Sequence, residues 1–254
     1  MPEMDEIRKN FHNDLESVRA EVIRLGASLT ESIPRATAVL LSGDLEGADY
    51  LVQADDEFDG RSAELEVSCF EILALQAPVA ADLRQIVAII KIAGELERSA
   101  DLVVNICKAA RRIYGHDIDP MLRGVISKMS EQAQKLFAAT MEAFEESDSA
   151  KAAAIDDMDS YLDSLHRQFI QQIFESHSKS KIDLQVAVQL AVVARFYERI
   201  GDHAVNVSER RDSLFQVGCV SAVASIAIRL ASAIEQVRFL FHKLKVKFRD
   251  LLWT

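Results

Sequence analysis

"YERIGDHAVNVSER", residues 197–210, repeats a spacing already present in "ELERSADLVVNICK", residues 95–108. Glu97, Arg98, Asp101 and Asn105 stand 101 positions before Glu198, Arg199, Asp202 and Asn206. Like charges four apart on a helix repel by roughly 0.2 to 0.5 kcal/mol, so a helix that places two carboxylates at that spacing twice has a reason beyond helix formation. Laying residues 82–106 over 183–207 without a gap matches Asp82, Leu83, Val87, Ala93, Glu97, Arg98, Asp101, Val104 and Asn105, nine identities in 25 positions. Helical periodicity accounts for the apolar matches but cannot ask for Glu, Arg, Asp and Asn in order. The pattern is that of a tandem duplication.

The preceding segment of each copy supports this reading. "ADDEFDG" carries Asp55 and Asp59, and "MDSYLDS" carries Asp159 and Asp163, again four apart. Each copy therefore presents two carboxylate pairs, on neighbouring helices.

Working outward, periodic apolar positions Leu15, Val18, Val22, Leu25 and Leu29 predict a long first helix, with Pro34 as a kink and "SGDLEG" as a break. A second helix is expected from about residue 45 to 75. Pro78 suits the first turn of a third, running through Ile86, Ile90, Ala93, Val104 and Cys107 to a stop near Gly115. "GHDIDP" combines a Gly stop with Pro120 at a new start. Helices are then expected over 120–146, 149–176 and 181–211, with Ser149 and Ser180 as N-caps of the last two. The predicted fold is all-α, a tandem repeat of two three-helix bundles over 1–116 and 117–217, followed by a C-terminal helical extension over 218–254.

Composition agrees. Of 254 residues 49% are apolar, enough to bury a core, and 9 Gly with 4 Pro leave few turns for short hairpins. The net charge of -11 argues against a nucleic-acid partner, because such binding rests on Lys and Arg neutralising phosphates. Cys69, Cys107 and Cys219 are widely spaced among apolar residues, without a disulfide framework or a CxxC zinc pattern, and point to a reducing compartment. The N-terminus lacks the apolar core of a signal peptide, so a cytoplasmic protein is expected.

Charge is unevenly spread. Residues 218–254 hold six Lys or Arg and two Asp or Glu, leaving the first 217 residues at -15. Within residues 237–254, Val237, Phe241, Leu244, Phe248 and Leu251 form one apolar stripe flanked by Arg238, Lys243, Lys245, Lys247 and Arg249. A basic amphipathic helix with a Trp can lie on an anionic membrane or dock in a partner groove, and an apolar stripe can equally pack on the bundles or a dimer.

On the helix, Ile86, Ile90, Ala93, Glu97, Asp101 and Asn105 follow three- and four-residue steps, as do Ala187, Leu190, Ala194, Glu198, Asp202 and Asn206. The acids prolong an apolar seam, and carboxylates at such an edge must be paired, protonated or bound to a cation. One reading is ionic: Arg98 with Asp101 and Arg199 with Asp202 are three apart, and Arg84 or Lys91 could help across helices. The other is a metal centre, since two acidic pairs on facing helices offer the all-oxygen environment that suits hard cations.

The doubled ERxxD motif followed by Asn, each copy preceded by a DxxxD helix, resembles the PhoU family of phosphate-signalling proteins. The resemblance spans residues 5 to about 214, including "FHNDLESVRAEV" and "ATAVLLSGDLEGADYLVQADDEFD". It implies a cytoplasmic, commonly homodimeric regulator that restrains the phosphate-starvation response. Such a protein acts between the ATPase subunit of the phosphate ABC transporter and a membrane sensor histidine kinase. It also implies divalent or trivalent metal ions (iron, zinc or manganese) held by Asp55, Asp59, Glu97 and Asp101 in the first unit and by Asp159, Asp163, Glu198 and Asp202 in the second. Arg98, Arg199, Asn105 and Asn206 would support them. The second copy departs by carrying His203 where the first has Leu102; one step beyond Asp202, it points about 100° away and reads as a surface or inter-helix residue.

Two other classes stand beside the regulator. A di-metal carboxylate enzyme would want a Glu-x-x-His element, a nucleophile motif or a phosphate-cradling Gly loop, and none is visible. A metal-free helical scaffold would leave the acids in salt bridges.

Overall fold

The computed structural model describes residues 2–76, 78, 80–146, 149–179 and 181–212. Six helices make up the described chain: α1 (Pro2–Ser42), α2 (Leu45–Gln76), α3 (Ala80–Arg112), α4 (Pro120–Glu146), α5 (Ser149–Ser178) and α6 (Leu184–Asp212), with no strand among the described residues. The C-terminal extension, its basic stripe and Cys219 lie outside them.

Helix α1 runs through Pro34 without a break and ends where expected. Gly43 takes φ 68, a left-handed conformation that glycine adopts without a Cβ clash, and its N–H and that of Asp44 close on the Val39 carbonyl. Asp44 then accepts from the Gly47 N–H at 2.9 Å, capping α2. The α3–α4 connection is closed similarly: Asp119 Oδ1 accepts from the Met121 N–H at 3.1 Å, while its other oxygen accepts from Ser176 at 2.7 Å. Two expectations about ends are corrected. Pro78 lies two residues ahead of α3 rather than in its first turn. Helix α5 begins at Ser149, whose side chain lies outside the described residues. The cap of α6 is Asp183, whose carboxylate accepts from the Gln185 N–H at 2.7 Å; Ser180 is outside the described residues. An aspartate adjacent to the helix satisfies the free N–H groups directly, which a residue three positions earlier cannot do.

Within each unit the helices form an antiparallel trio, and α1 and α3 pack against α4 and α6. Arg112 on α3 reaches Gln189 on α6, whereas Glu95 reaches Asn206, so these two helices run antiparallel. Arg19 donates to the Glu145 carbonyl and Arg123 to the Leu41 carbonyl, which makes α1 and α4 antiparallel too. Equivalent helices of the two copies thus pair with each other, as an approximate twofold axis requires. Helices α1, α3, α4 and α6 form the centre, while α2 and α5, which carry the DxxxD pairs, flank it.

One continuous core fills all six helices, with Leu25, Leu29, Ile33, Ile86, Ile92, Leu96, Phe137 and Phe169 essentially inaccessible. Burial on this scale is worth roughly 1.5 to 3 kcal/mol for each large apolar side chain. A polar knot sits inside it: the Thr37 hydroxyl meets Ser130 at 2.7 Å and Tyr197 at 2.6 Å, linking α1, α4 and α6. Because both units contribute to this core, the acidic seams on its two flanks are held by one body of packing.

Candidate functional site

The structure places each predicted set of four acids on an outer helix and the neighbour it packs against, without drawing three of them to one point among the described residues. In the first unit Asp55 and Asp59 project from α2 toward Glu97 and Asp101 on α3. Asp55 is half-buried and the other three are exposed. Burial, then the charges of Asp59 and Asp101, push the Asp55 carboxyl up to about 6, against the opposing pull of Lys108. Asp59 is raised by burial and Asp101. Glu97 is raised by burial, Asp59, Glu66 and Asp101, with Arg98 opposing. Burial leads in all three, and repulsion between the carboxylates adds to it.

The ionic reading is corrected on this seam. Arg98 turns to Glu95, 3.7 Å away, rather than to Asp101. Among the described residues no ion pair holds Asp55, Asp59, Glu97 or Asp101. Residues three apart on a helix are neighbours in both directions, so Glu95 is as available to Arg98 by spacing as Asp101 is.

In the second unit Asp159 and Asp163 on α5 face Glu198 and Asp202 on α6. Burial, then Asp163 and Asp202, push Asp159 up to about 6. The helices approach closely here because residue 201 is glycine: a Cβ would fall 2.3 Å from Asp159 Oδ1 and 2.8 Å from Leu162. The Arg199–Asp202 pair of the ionic reading is not formed among the described residues; Arg195 pairs with Glu198 through Glu198 Oε1. The remaining oxygen Glu198 Oε2 and Asp159 Oδ1 are both buried without a hydrogen-bond partner. His166 lies beside this seam, its imidazole held below the usual range by burial and Arg195.

Orphaned buried oxygens and repelling carboxylates are the donor chemistry of a hard-cation site. The donors do not form a finished shell: among the described residues no three His, Cys, Asp or Glu side chains converge to hold one ion. The side chains are thus of the type a hard cation takes, but their arrangement is not that of a formed site.

Sequence reasoning missed Glu95. Its side chain is buried at the contact of α3 with α6, where His203 Nδ1 lies 2.7 Å from Oε2 and Asn206 donates to the same oxygen at 3.3 Å. Arg98 and Arg210 stand 3.7 and 3.8 Å from the other oxygen. His203 is thus the inter-helix residue that its position off the Asp202 face suggested. The available signal was asymmetry between the copies: Glu95 of the first aligns with Phe196 of the second, and His203 of the second with Leu102 of the first, so each copy has one polar residue where the other is apolar, and the two meet in the assembled molecule.

Two stretches of the chain, residues 22–110 and 126–211, match the model of the PhoU domain. The phosphate-specific transport system accessory protein PhoU homolog 1 of Mycobacterium leprae is 32% identical over 205 residues, covering 80% of this chain and 91% of that protein. The corresponding homolog of Clostridium acetobutylicum is 29% identical over 203 residues, covering 80% and 92%. Among solved structures, PhoU of Pseudomonas aeruginosa superposes with a TM-score of 0.75 at 24% identity, over 81% of this chain and 98% of that one. The phosphate transport system regulatory protein PhoU of Streptococcus pneumoniae gives 0.74 at 23%, over 81% and 97%. These last two show the fold.

Proposed function

This chain belongs to the PhoU family, and on that premise we propose that it is a regulatory accessory protein of phosphate transport rather than a catalyst. It restrains the phosphate-starvation response by acting between the ATPase subunit of the phosphate ABC transporter and a sensor histidine kinase. The observation that carries this reading is the coincidence of the two matched stretches with the two three-helix units, each keeping its acidic seam. No described helix is long and apolar enough to cross a membrane. The protein works in the cytoplasm as a homodimer and reaches the transporter at the membrane's inner face, with residues 237–254 supplying contact to anionic lipid. Deleting its gene should leave phosphate-responsive genes active in phosphate-rich medium. Normal repression in the deletion strain would overturn the assignment.

A cation on the seams is the second part of the proposal, supported by the orphaned oxygens Asp159 Oδ1 and Glu198 Oε2. Asp55, Asp59, Glu97 and Asp101 would hold it in the first unit, and Asp159, Asp163, Glu198 and Asp202 in the second; iron, zinc or manganese suits the chemistry. When bound, the ion supplies positive charge between α2 and α3 or between α5 and α6. The residues themselves set the rest: α2 and α5 pack only along one side, so relieving the repulsion tightens them on the central helices and fixes the outer acidic surface. That surface then meets basic patches on the partners. Metal-free protein that binds the ATPase subunit as tightly as metal-loaded protein would remove the cation from signalling.

A further inference from the structure

We propose that residues 237–254 dock, as an amphipathic helix, into a groove between α1 and α2 of the first unit, so that the C-terminal segment has a seat on its own chain. The inference stands apart from the lipid contact proposed above, which would draw on the same apolar stripe.

The groove is a cavity of about 460 Å3 between the first half of α1 and the second half of α2. Buried Val18, Leu65 and Ile72 form its floor, and Leu75 borders it 80% exposed. Acids come from both helices: Asp14 and Glu21 from α1, Glu64 and Glu71 from α2. Arg24 and Arg61 border it too, yet Glu21 engages both, at 2.6 and 2.7 Å. Asp14, Glu64 and Glu71 are exposed, and among the described residues no ion pair holds them. The result is an apolar trough with negative walls.

The second unit closes the same opening. With α2 laid on α5 in the register that matches Asp55 and Asp59 to Asp159 and Asp163, Ile72 and Leu75 fall opposite Ser176 and Lys179. Ser176 donates to Asp119 Oδ2 at 2.7 Å, Lys181 stands 3.6 Å from that oxygen, and the cavity shrinks to about 20 Å3. The first unit therefore leaves apolar side chains open where its copy seals the gap with polar contacts, and an apolar opening rimmed by charge marks a docking surface.

The sequence of the C-terminal segment matches the trough in chemistry. At about 100° per residue, the stripe Val237, Phe241, Leu244, Phe248 and Leu251 has Arg238, Lys245 and Arg249 along one edge and Lys243 and Lys247 along the other. A helix seated stripe-down sets a cationic row against each acidic wall, the helix-in-groove mode with electrostatic register. The segment is also within reach. Because Glu95, midway along α3, meets Asn206, α6 ends beside the N-terminal half of α3, at the end of the molecule where α2 also ends. The 24 residues between Asp212 and Val237 can span up to roughly 80 Å when extended, more than the crossing from α6 to the groove requires.

The test is pulsed electron paramagnetic resonance on the full chain carrying Cys219→Ser, with nitroxides at Val67→Cys, beside the groove, and Val246→Cys, opposite the apolar stripe. Cys69 and Cys107 are buried and stay unlabelled. A docked segment should give one narrow distance of about 20 Å, the spacing of two packed helices plus the label arms. Glu64→Lys with Glu71→Lys should broaden and lengthen that distribution, and adding Lys243→Glu with Lys247→Glu should restore it. Leu75→Asp, at a position too exposed to disturb the core, should release the segment as the charge reversals do. A broad distribution in the parent chain, or a narrow one indifferent to both groove variants, would overturn the seat. A short distance arising only between singly labelled chains mixed together would overturn it in favour of a second copy filling the groove.

Discussion

Glu95 on α3 and His203 on α6 meet at 2.7 Å inside the contact between the two three-helix units. Neither residue has a polar counterpart in the other copy, so the pair belongs to the assembled molecule and not to the repeat. Breaking a buried hydrogen-bonded pair costs more than removing both members, because the survivor is left desolvated without its partner. Glu95→Leu alone should therefore lose about 3 kcal/mol of stability in urea unfolding, and Glu95→Leu with His203→Leu should recover a substantial part. Additive losses in that cycle would show that the two side chains do not interact.

Metal-free protein should become less stable as pH rises from 4 toward 7. Asp55 and Asp159 are raised in the folded state to about 6 from an ordinary 3.8. Between those values the folded chain holds more protons than the unfolded one, so the stability present below about pH 4 is lost as pH passes through 6. Melting temperatures of chelator-treated protein across pH 4.5 to 7.5 check this. Asp55→Asn with Asp159→Asn should flatten the profile and raise the melting temperature at pH 7.5.

Adding cation should act in the opposite sense. A ligand at a hundred times its dissociation constant stabilises the native state by about 2.7 kcal/mol, which for a domain of this size is a rise of roughly 5 to 10 °C. Mn2+ should produce that rise in wild type, and Glu97→Ala, Asp101→Ala, Glu198→Ala and Asp202→Ala combined should abolish it. An unchanged melting curve in wild type would make the seams metal-free scaffolding.

Gly201→Ala should be costly despite lying within a helix. Its added carbon would meet Asp159 Oδ1 at 2.3 Å, forcing α5 away from α6, a penalty on the order of 1 to 3 kcal/mol. Gly60→Ala on α2, where nothing lies within 4 Å, should instead gain about 0.5 to 1 kcal/mol. Urea midpoints moving together in the two variants would refute the steric account.

Moving Asp183 to Ala should cost about 1 kcal/mol, since its carboxylate satisfies an N–H at the head of α6 at 2.7 Å. The same midpoint shift measured for Ser180→Ala would return the cap to that residue.

The sequence by itself determined the helical class, the six helices of the described residues and most of their ends, because apolar periodicity and Gly, Pro and Asp punctuation act over a few residues. It also located both sets of four acids: the carboxylate spacing lies on a single helix, and the repeat states it twice. Tertiary structure alone decided how the copies face each other, and therefore everything that depends on side chains 100 positions apart. Arg98 could be paired with Asp101 from the sequence since both lie on one helix face, yet it turns to Glu95, whose burial follows only from α6 packing on α3. Arg199, which the sequence offered as a partner of Asp202, holds no acid among the described residues, while Arg195 pairs with Glu198 three positions on. Local signals fix what the backbone does, while charge pairing in a packed molecule is settled by desolvation, which no stretch of sequence carries on its own.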